Sequence, residues 1–452
     1  MQSINPSTEE VIAEYPELNE DELDAKIDVA HRAFQAWKQS NFDFRRERML
    51  ELARLVRSNK NELAQIATLE MGKPITQSLA EVEKCAWVCE YYAENAEKIL
   101  SPEVIQSNAS ESYVRFDPIG VILAVMPWNF PYWQVFRFIA PAAMAGNVGV
   151  LKHASNVQGC GMAMEKLFLK ADFPEGIFQN LSIGASKVEH VIRDSRVVAV
   201  TLTGSESAGR KVASQAGEHL KKVVLELGGS DPCLILKDAD LDLVMKVTPF
   251  ARLQNGGQSC IAAKRFIVAE EIAEEFVSRF KTEFENYKVG DPLDESTQMG
   301  PLVNASGVQE INRQVQESVA RGAEIVTGGK KLEQKGFFYA PTILKNVKKG
   351  MPAYDEELFG PVASVIVVEN EDEALHIAND IPFGLGSSIF TQDLKKAKEM
   401  ASKIDAGQVF INGMVTSDPR LPFGGTKNSG YGRELSHYGI KEFVNIKTVW
   451  IK

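Results

Sequence analysis

Between residues 120 and 229 the chain alternates short β-branched runs with stretches of helical length, and this alternation limits its fold more than any other feature. The runs are Val121-Ile122-Leu123-Ala124-Val125, Val148-Gly149-Val150-Leu151-Lys152, Val197-Val198-Ala199-Val200-Thr201-Leu202 and Val223-Val224-Leu225-Glu226. They are continuously apolar rather than alternating, which marks strands buried on both faces. Helical stretches follow at about 129–145, 157–170 and 206–218. Strand and helix in turn predict an α/β fold with a parallel doubly wound sheet, whose ligands sit beyond the carboxyl ends of the strands. Distinctive turn sequences stand at those ends, including Thr203-Gly204-Ser205 and Met126-Pro127-Trp128-Asn129-Phe130-Pro131.

After Gly228-Gly229 the pattern restarts at Cys233-Leu234-Ile235-Leu236, with further strands near 265, 324, 363 and 409. A second α/β unit is therefore expected. The first hundred residues read as helices: Leu23, Ile27, Ala30, Phe34 and Trp37 form one apolar stripe, and Asn19 with Glu22 gives a capping start. Ser112-Tyr113-Val114-Arg115-Phe116 is extended and reads as a hairpin arm. The last strand, Thr448-Val449-Trp450-Ile451, has nothing after it to pair with. Its partner is the arm, a neighbouring subunit, or both.

At 452 residues the chain holds two or three domains. A net charge of -11 and the lack of a basic run exclude a nucleic-acid backbone as partner. The N-terminus lacks a charged and apolar leader, and no run of about twenty apolar residues occurs, so a cytoplasmic protein with no membrane partner is expected. Five cysteines, an odd number, argue for a reducing compartment without a disulfide framework. Cys85 and Cys89 read as packing residues of a helix, the histidines are scattered, and no metal is implied.

One cysteine stands apart. Cys260 lies in Asn255-Gly256-Gly257-Gln258-Ser259-Cys260-Ile261, between a glycine turn and the strand run Arg265-Phe266-Ile267-Val268. Paired glycines let backbone N–H groups approach whatever the sulfur attacks, which makes Cys260 a candidate nucleophile. A lone cysteine is by itself more often an inert core residue.

Five motifs carry a resemblance. Pro127-Trp128-Asn129-Phe130-Pro131, Thr203-Gly204-Ser205, Leu225-Glu226-Leu227-Gly228-Gly229, Gly257-Gln258-Ser259-Cys260 and Glu357-Leu358-Phe359-Gly360-Pro361 occur in order over nearly the whole chain. Order and spacing are similar to the aldehyde dehydrogenase superfamily, and within it to the succinate-semialdehyde dehydrogenases. The resemblance implies a Rossmann-type cofactor domain (1–105 and 125–227), an α/β catalytic domain (228–428), and a small β oligomerisation arm with the C-terminal segment (106–124 and 429–452). A homodimer or homotetramer is expected.

It also implies roles. Cys260 adds to an aldehyde carbon; Asn129 and the Cys260 N–H hold the resulting oxyanion; after hydride leaves, Glu226 activates the water that hydrolyses the thioester. Glu226 is otherwise hard to place, since a carboxylate interrupts an apolar strand at its buried end. Trp128, Lys152, Ser155, Gly204, Ser205, Leu227, Glu357 and Phe359 match cofactor contacts. Gly204-Ser205 lacks the G-x-G-x-x-G pattern and alone reads equally as a helix cap. Ser155 stands where NAD-preferring relatives often carry glutamate, so NADP is expected to be favoured over NAD, unless Ser155 only caps the next helix.

The substrate end rests on Trp133 and Arg137, four apart and on one helix face, with Ser259 and Ser417. A cation in the pocket calls for a carboxylate, and succinic semialdehyde is the expected substrate. Gln254 replaces a second arginine found in some of the similar enzymes. The alternative is a broad-range enzyme for uncharged medium-chain or aromatic aldehydes. A silent structural homologue is opposed by the presence of Cys260, Glu226 and Asn129 together, and a CoA-acylating enzyme by Glu226.

Overall fold

A computed structural model describes all 452 residues. The first α/β unit is built on a six-stranded sheet in the order Gly430–Tyr431, Lys222–Glu226, Val197–Thr203, Val121–Met126, Val148–His153, Phe178–Asn180. All neighbours are parallel except Gly430–Tyr431, which returns from far along the chain to pair with Leu225 and Glu226. Val121–Met126 is flanked by strands on both sides and by helices on its faces, which is why its sequence is unbroken in apolarity. The arm therefore closes at Pro118, and the expected boundary at 124 moves back to the turn at Ile119-Gly120.

Of the N-terminal helices Glu20–Trp37, Phe42–Ser58, Lys60–Met71 and Ile75–Ile99, the first packs directly on this sheet and the others pack on one another and on the helices Trp133–Met144 and Gln158–Lys170. One buried cluster of 71 residues contains both, so helices and sheet share a single core. The first helix starts at the expected capping box: the Asn19 side chain accepts from the Glu22 N–H, and the Glu22 carboxylate from the Asn19 N–H. Cys85 and Cys89 are wholly buried in Ile75–Ile99. No helix is long and apolar enough to cross a membrane.

The second unit carries a seven-stranded sheet ordered Glu324–Thr327, Thr342–Lys345, Val362–Val368, Ala263–Ala269, Asp231–Ile235, Gly386–Phe390, Gln408–Ile411. It is parallel apart from the first pair. The chain passes from the carboxyl end of Lys222–Glu226 straight into the amino end of Asp231–Ile235 through Leu227-Gly228-Gly229-Ser230. At the seam between the sheets the first thus presents carboxyl ends and the second amino ends. Ala263–Ala269 and Val362–Val368 begin there, and the residues just before them, Cys260 and Glu357 to Pro361, face the turns that follow the first sheet.

A third sheet closes the chain. Val444–Ile451 pairs antiparallel with Glu111–Pro118 over eight residues, with Glu103–Val104 beyond. The last strand is thus partnered by the arm of its own chain, and its other edge is unpaired.

Candidate active site

Cys260 is placed by a loop that only unusual backbone can form. After the helix Leu241–Leu253, Asn255, Gly256 and Gly257 turn with φ of 54°, 63° and 73°. Asparagine tolerates this region and glycine adopts it freely. Gly257 is constrained twice, because a β-carbon there would stand 2.2 Å from the Gly360 carbonyl oxygen and 2.4 Å from Arg252 Nη2. The buried Arg252 donates from Nη2 to the carbonyls of Gly257 (3.0 Å), Leu358 (3.1 Å) and Gly360, and from Nη1 to that of Ala263 (3.3 Å). One guanidinium ties the cysteine loop to the Glu357–Pro361 turn. From the other side Lys264 donates to the carbonyls of Ser259 and Cys260, each at 2.8 Å, and pairs with Glu357 at 3.3 Å. The Cys260 N–H makes no hydrogen bond within the protein and is free to act as a donor.

Asn129 meets this loop from the first sheet. Its Nδ2 donates one hydrogen to the Gln258 carbonyl at 3.1 Å, leaving a second, while Asn255 Nδ2 donates to the Asn129 carbonyl at 2.8 Å. The helix expected from Asn129 begins instead at Trp133, because Pro127 to Tyr132 form a turn. Tyr132 supplies no side-chain cap; the Glu81 carboxylate, from the helix Ile75–Ile99, accepts from the N–H groups of Tyr132 (2.8 Å) and Trp133 (2.9 Å). A carboxylate at a helix start also suits the helix dipole. Trp133 and Arg137 remain on one face.

Glu226 ends its strand beside Thr203 and Gly430. It is buried, and neither carboxylate oxygen has a hydrogen-bond partner. Burial raises its pKa well above the usual carboxylate range and Glu434 adds to this, while Arg137 and Arg433 oppose it. Arg137 is the residue whose surroundings differ most from expectation. Its guanidinium is ion-paired with the buried Glu434 carboxylate, and its Nη2 donates to Thr203 Oγ1 at 3.1 Å. The protein itself supplies the anion that a substrate was expected to bring. The Cys260 thiol is pushed up to about 12, chiefly by burial, with Arg137 and Lys264 pulling the other way.

Two cavities meet here. One, of about 430 Å³, is lined by Lys84, Trp133, Arg137, Ser259 and Ser417, with Gln254 and several aromatic side chains. The other, of about 330 Å³, is lined by Trp128, Asn129, Gly204, Ser205, Leu227, Glu357 and Phe359. Cys260 is the one residue common to both. Ser205 does cap the helix Glu206–Glu218, accepting from the Ala208 N–H at 3.3 Å, so the helix-cap reading holds for its side chain. The N–H groups of Ser205, Glu206 and Ser207 still lack partners, as the geometry of a helix start requires.

Lys152 and Ser155 lie outside both cavities, at the carboxyl end of Val148–His153 and in the turn after it. Ser155 is exposed and is not a cap, since the next helix starts at Gln158 with Val157 before it and no side-chain cap. Lys152 has neither hydrogen bond nor ion pair, and burial lowers its pKa. Sequence reasoning missed Lys84, Arg252, Lys264 and Glu434. The adjacent Lys264-Arg265 in an otherwise apolar strand was a visible signal, because two buried cations must be held by something.

Substituting Gly257→Ala is expected to lower kcat/KM by roughly 100-fold or more without contact to any ligand, since a misplacement near 1 Å at a reacting atom costs about that much. Steady-state kinetics beside a thermal melt check it: a variant with ordinary activity would mean that the loop tolerates a β-carbon.

A profile of the aldehyde dehydrogenase family matches residues 1–449. The chain is 51% identical over 449 residues to a probable NADP(+) succinate-semialdehyde dehydrogenase of Synechocystis sp., covering 99% of each chain. It is 50% identical over 452 residues, again 99% of each, to the NADP(+) succinate-semialdehyde dehydrogenase 1 of Mycobacterium tuberculosis. Its fold superposes with a TM-score of 0.98, at 40% identity, on the succinic semialdehyde dehydrogenase of Streptococcus pyogenes in complex with NADP+, covering 100% of this chain and 99% of that one. On sequence, fold and length alike, the chain belongs to the aldehyde dehydrogenase family.

Proposed function

We propose that the chain oxidises succinic semialdehyde to succinate with NADP as hydride acceptor. The observation that carries this reading is the position of Cys260 as the one residue that lines both cavities. The relatives from Synechocystis, M. tuberculosis and S. pyogenes, named for this substrate and cofactor, support it.

The residues present fit a phosphorylated dinucleotide. The free N–H groups at the start of Glu206–Glu218 suit a pyrophosphate, Leu227, Trp128, Glu357 and Phe359 suit the nicotinamide end, and Lys152 with the exposed Ser155 offers a cation and a hydroxyl to a 2'-phosphate. When bound, the dinucleotide supplies the acceptor for a hydride. Cys260 Sγ gives up its proton to water and adds to the aldehyde carbon. The free Cys260 N–H and the second Asn129 Nδ2 hydrogen hold the oxyanion of the thiohemiacetal, contacts each worth roughly 3 to 4 kcal/mol of barrier. Once oxidised, the carbon remains on sulfur as a thioester. Glu226, with both oxygens unpartnered, removes a proton from the attacking water and Cys260 leaves as thiol. Trp133, Arg137, Ser259 and Ser417 form the wall that receives the carboxylate-bearing end. In this reading the six-stranded unit is the cofactor part, the seven-stranded unit carries the nucleophile, and the arm with Val444–Ile451 assembles a cytoplasmic homo-oligomer, for which Ile446, Trp450 and Ile451 are exposed on one sheet.

Kinetics with succinic semialdehyde, hexanal and benzaldehyde, each against NADP and NAD, test the substrate reading. The highest kcat/KM is expected for succinic semialdehyde with NADP. A preference for hexanal or benzaldehyde would favour the reading in which the aromatic wall of Phe130, Trp133, Phe250 and Phe423 selects uncharged aldehydes. Because Glu226 must be ionised to act and its pKa is raised, turnover is expected to climb as pH rises through that raised pKa. Glu226→Gln should lose this limb and show a burst of about one NADPH per site followed by slow turnover; a variant without burst would remove Glu226 from the hydrolytic step. Trp450→Glu is expected to shift the oligomer toward smaller species in sedimentation velocity.

A further inference from the structure

Five lysines have their pKa lowered by burial: Lys73, Lys84, Lys152, Lys221 and Lys264. A buried cation costs stability unless partners replace its water. Lys73 is paired with Glu81, Lys264 with two carbonyls and Glu357, and Lys221 with the Asp194 carbonyl. Two remain short of partners. Lys152 makes no polar contact in the protein and lies on the cofactor side. Lys84 makes one, to Ser417 Oγ at 2.8 Å, and lies in the cavity on the other side of Cys260.

The setting of Lys84 is built rather than incidental. Its ammonium sits 4.3 Å from the centre of the Trp133 ring, close enough for the ring's negative face to attract it. No carboxylate lies within ion-pair distance of it. Its helix also carries Glu81, which caps the helix bearing Trp133 and Arg137, so the spacing of Lys84 from that wall is fixed by hydrogen bonds. Arg137, by contrast, already holds Glu434. An anion entering the cavity therefore meets two cations, Lys84 with a single hydroxyl partner and no carboxylate, and Arg137 beside Glu434.

We infer that the Lys84 ammonium, steadied by the Ser417 hydroxyl and the Trp133 indole, is a direct ion-pair partner of the substrate's distal carboxylate alongside Arg137; the inference rests on the substrate reading above. A neutral aldehyde of the same length gains nothing from this contact, so Lys84 sets selectivity rather than chemistry. Burial and the nearby Arg137 bring Lys84 down to about 8, against the opposing influence of Cys85, Asp418 and Glu81. The proton is lost as pH rises through that value, so carboxylate binding weakens above it.

The test compares succinic semialdehyde with butanal, first on the wild-type enzyme with NADP and then on Lys84→Met and Lys84→Arg. The wild type should prefer succinic semialdehyde in kcat/KM; no preference would overturn the substrate reading and this inference with it. In Lys84→Met the ratio of the two kcat/KM values should fall about 100-fold, as expected for loss of one partner of a desolvated charge pair, with the loss in KM for succinic semialdehyde rather than in kcat. Lys84→Arg should recover part of the ratio. A wild-type ratio retained in Lys84→Met would overturn the role of Lys84 and leave the substrate reading standing. The wild type gives a second readout that needs no variant: KM for succinic semialdehyde should rise above about pH 8 while that for butanal does not follow. A KM for succinic semialdehyde that stays flat to pH 9.5 would overturn the inference.

Discussion

The buried guanidinium of Arg252 is the contact on which the site depends. It holds the carbonyls of Gly257, Leu358 and Gly360 together, and so locks the loop that carries Cys260 against the loop that carries Glu357 and Phe359. No carboxylate neutralises it by contact; four carbonyl dipoles do, and they can only do so when both loops are in place. Burial lowers its pKa to about 9. The absence of a side chain at Gly257 is a condition of the same packing, since any β-carbon would displace either the guanidinium or the Gly360 carbonyl. The geometry at Cys260 is therefore a property of tertiary closure rather than of the local Gly-Gln-Ser-Cys sequence.

Much of this was legible in the sequence, and the reasons differ by residue. The strands of the first sheet could be read because burial on both faces leaves nothing but apolar side chains. Phe178–Asn180 could not, because three residues carry no pattern of their own. Glu226 stood out as a carboxylate at the buried end of a strand, and Cys260 as a cysteine beside paired glycines. Glu434 and Lys84 gave no such signal. Glu434 follows Gly432-Arg433 in a segment that reads as surface, and only the return of Gly430–Tyr431 to the first sheet brings it against Arg137 and Glu226. Lys84 sits on a long helix where lysine usually marks a solvated face. Arg137 was located correctly as a cavity residue, but its partner lay nearly 300 residues away in the chain, beyond any local spacing rule.

Charge in the interior follows a common economy. Arg137 with Glu434, Lys73 with Glu81 and Lys264 with Glu357 are ion pairs that shape walls and hold helices. Glu226, left open among them, has its proton affinity raised by burial and by the Glu434 carboxylate.

Cys260 as the sole shared wall of the two cavities also bears on the order of events. Ligands that approach a common atom from separate chambers do not block each other's way in or out. In the proposed reaction the acid product and the dinucleotide belong to different chambers, so each has a route that does not run through the other's.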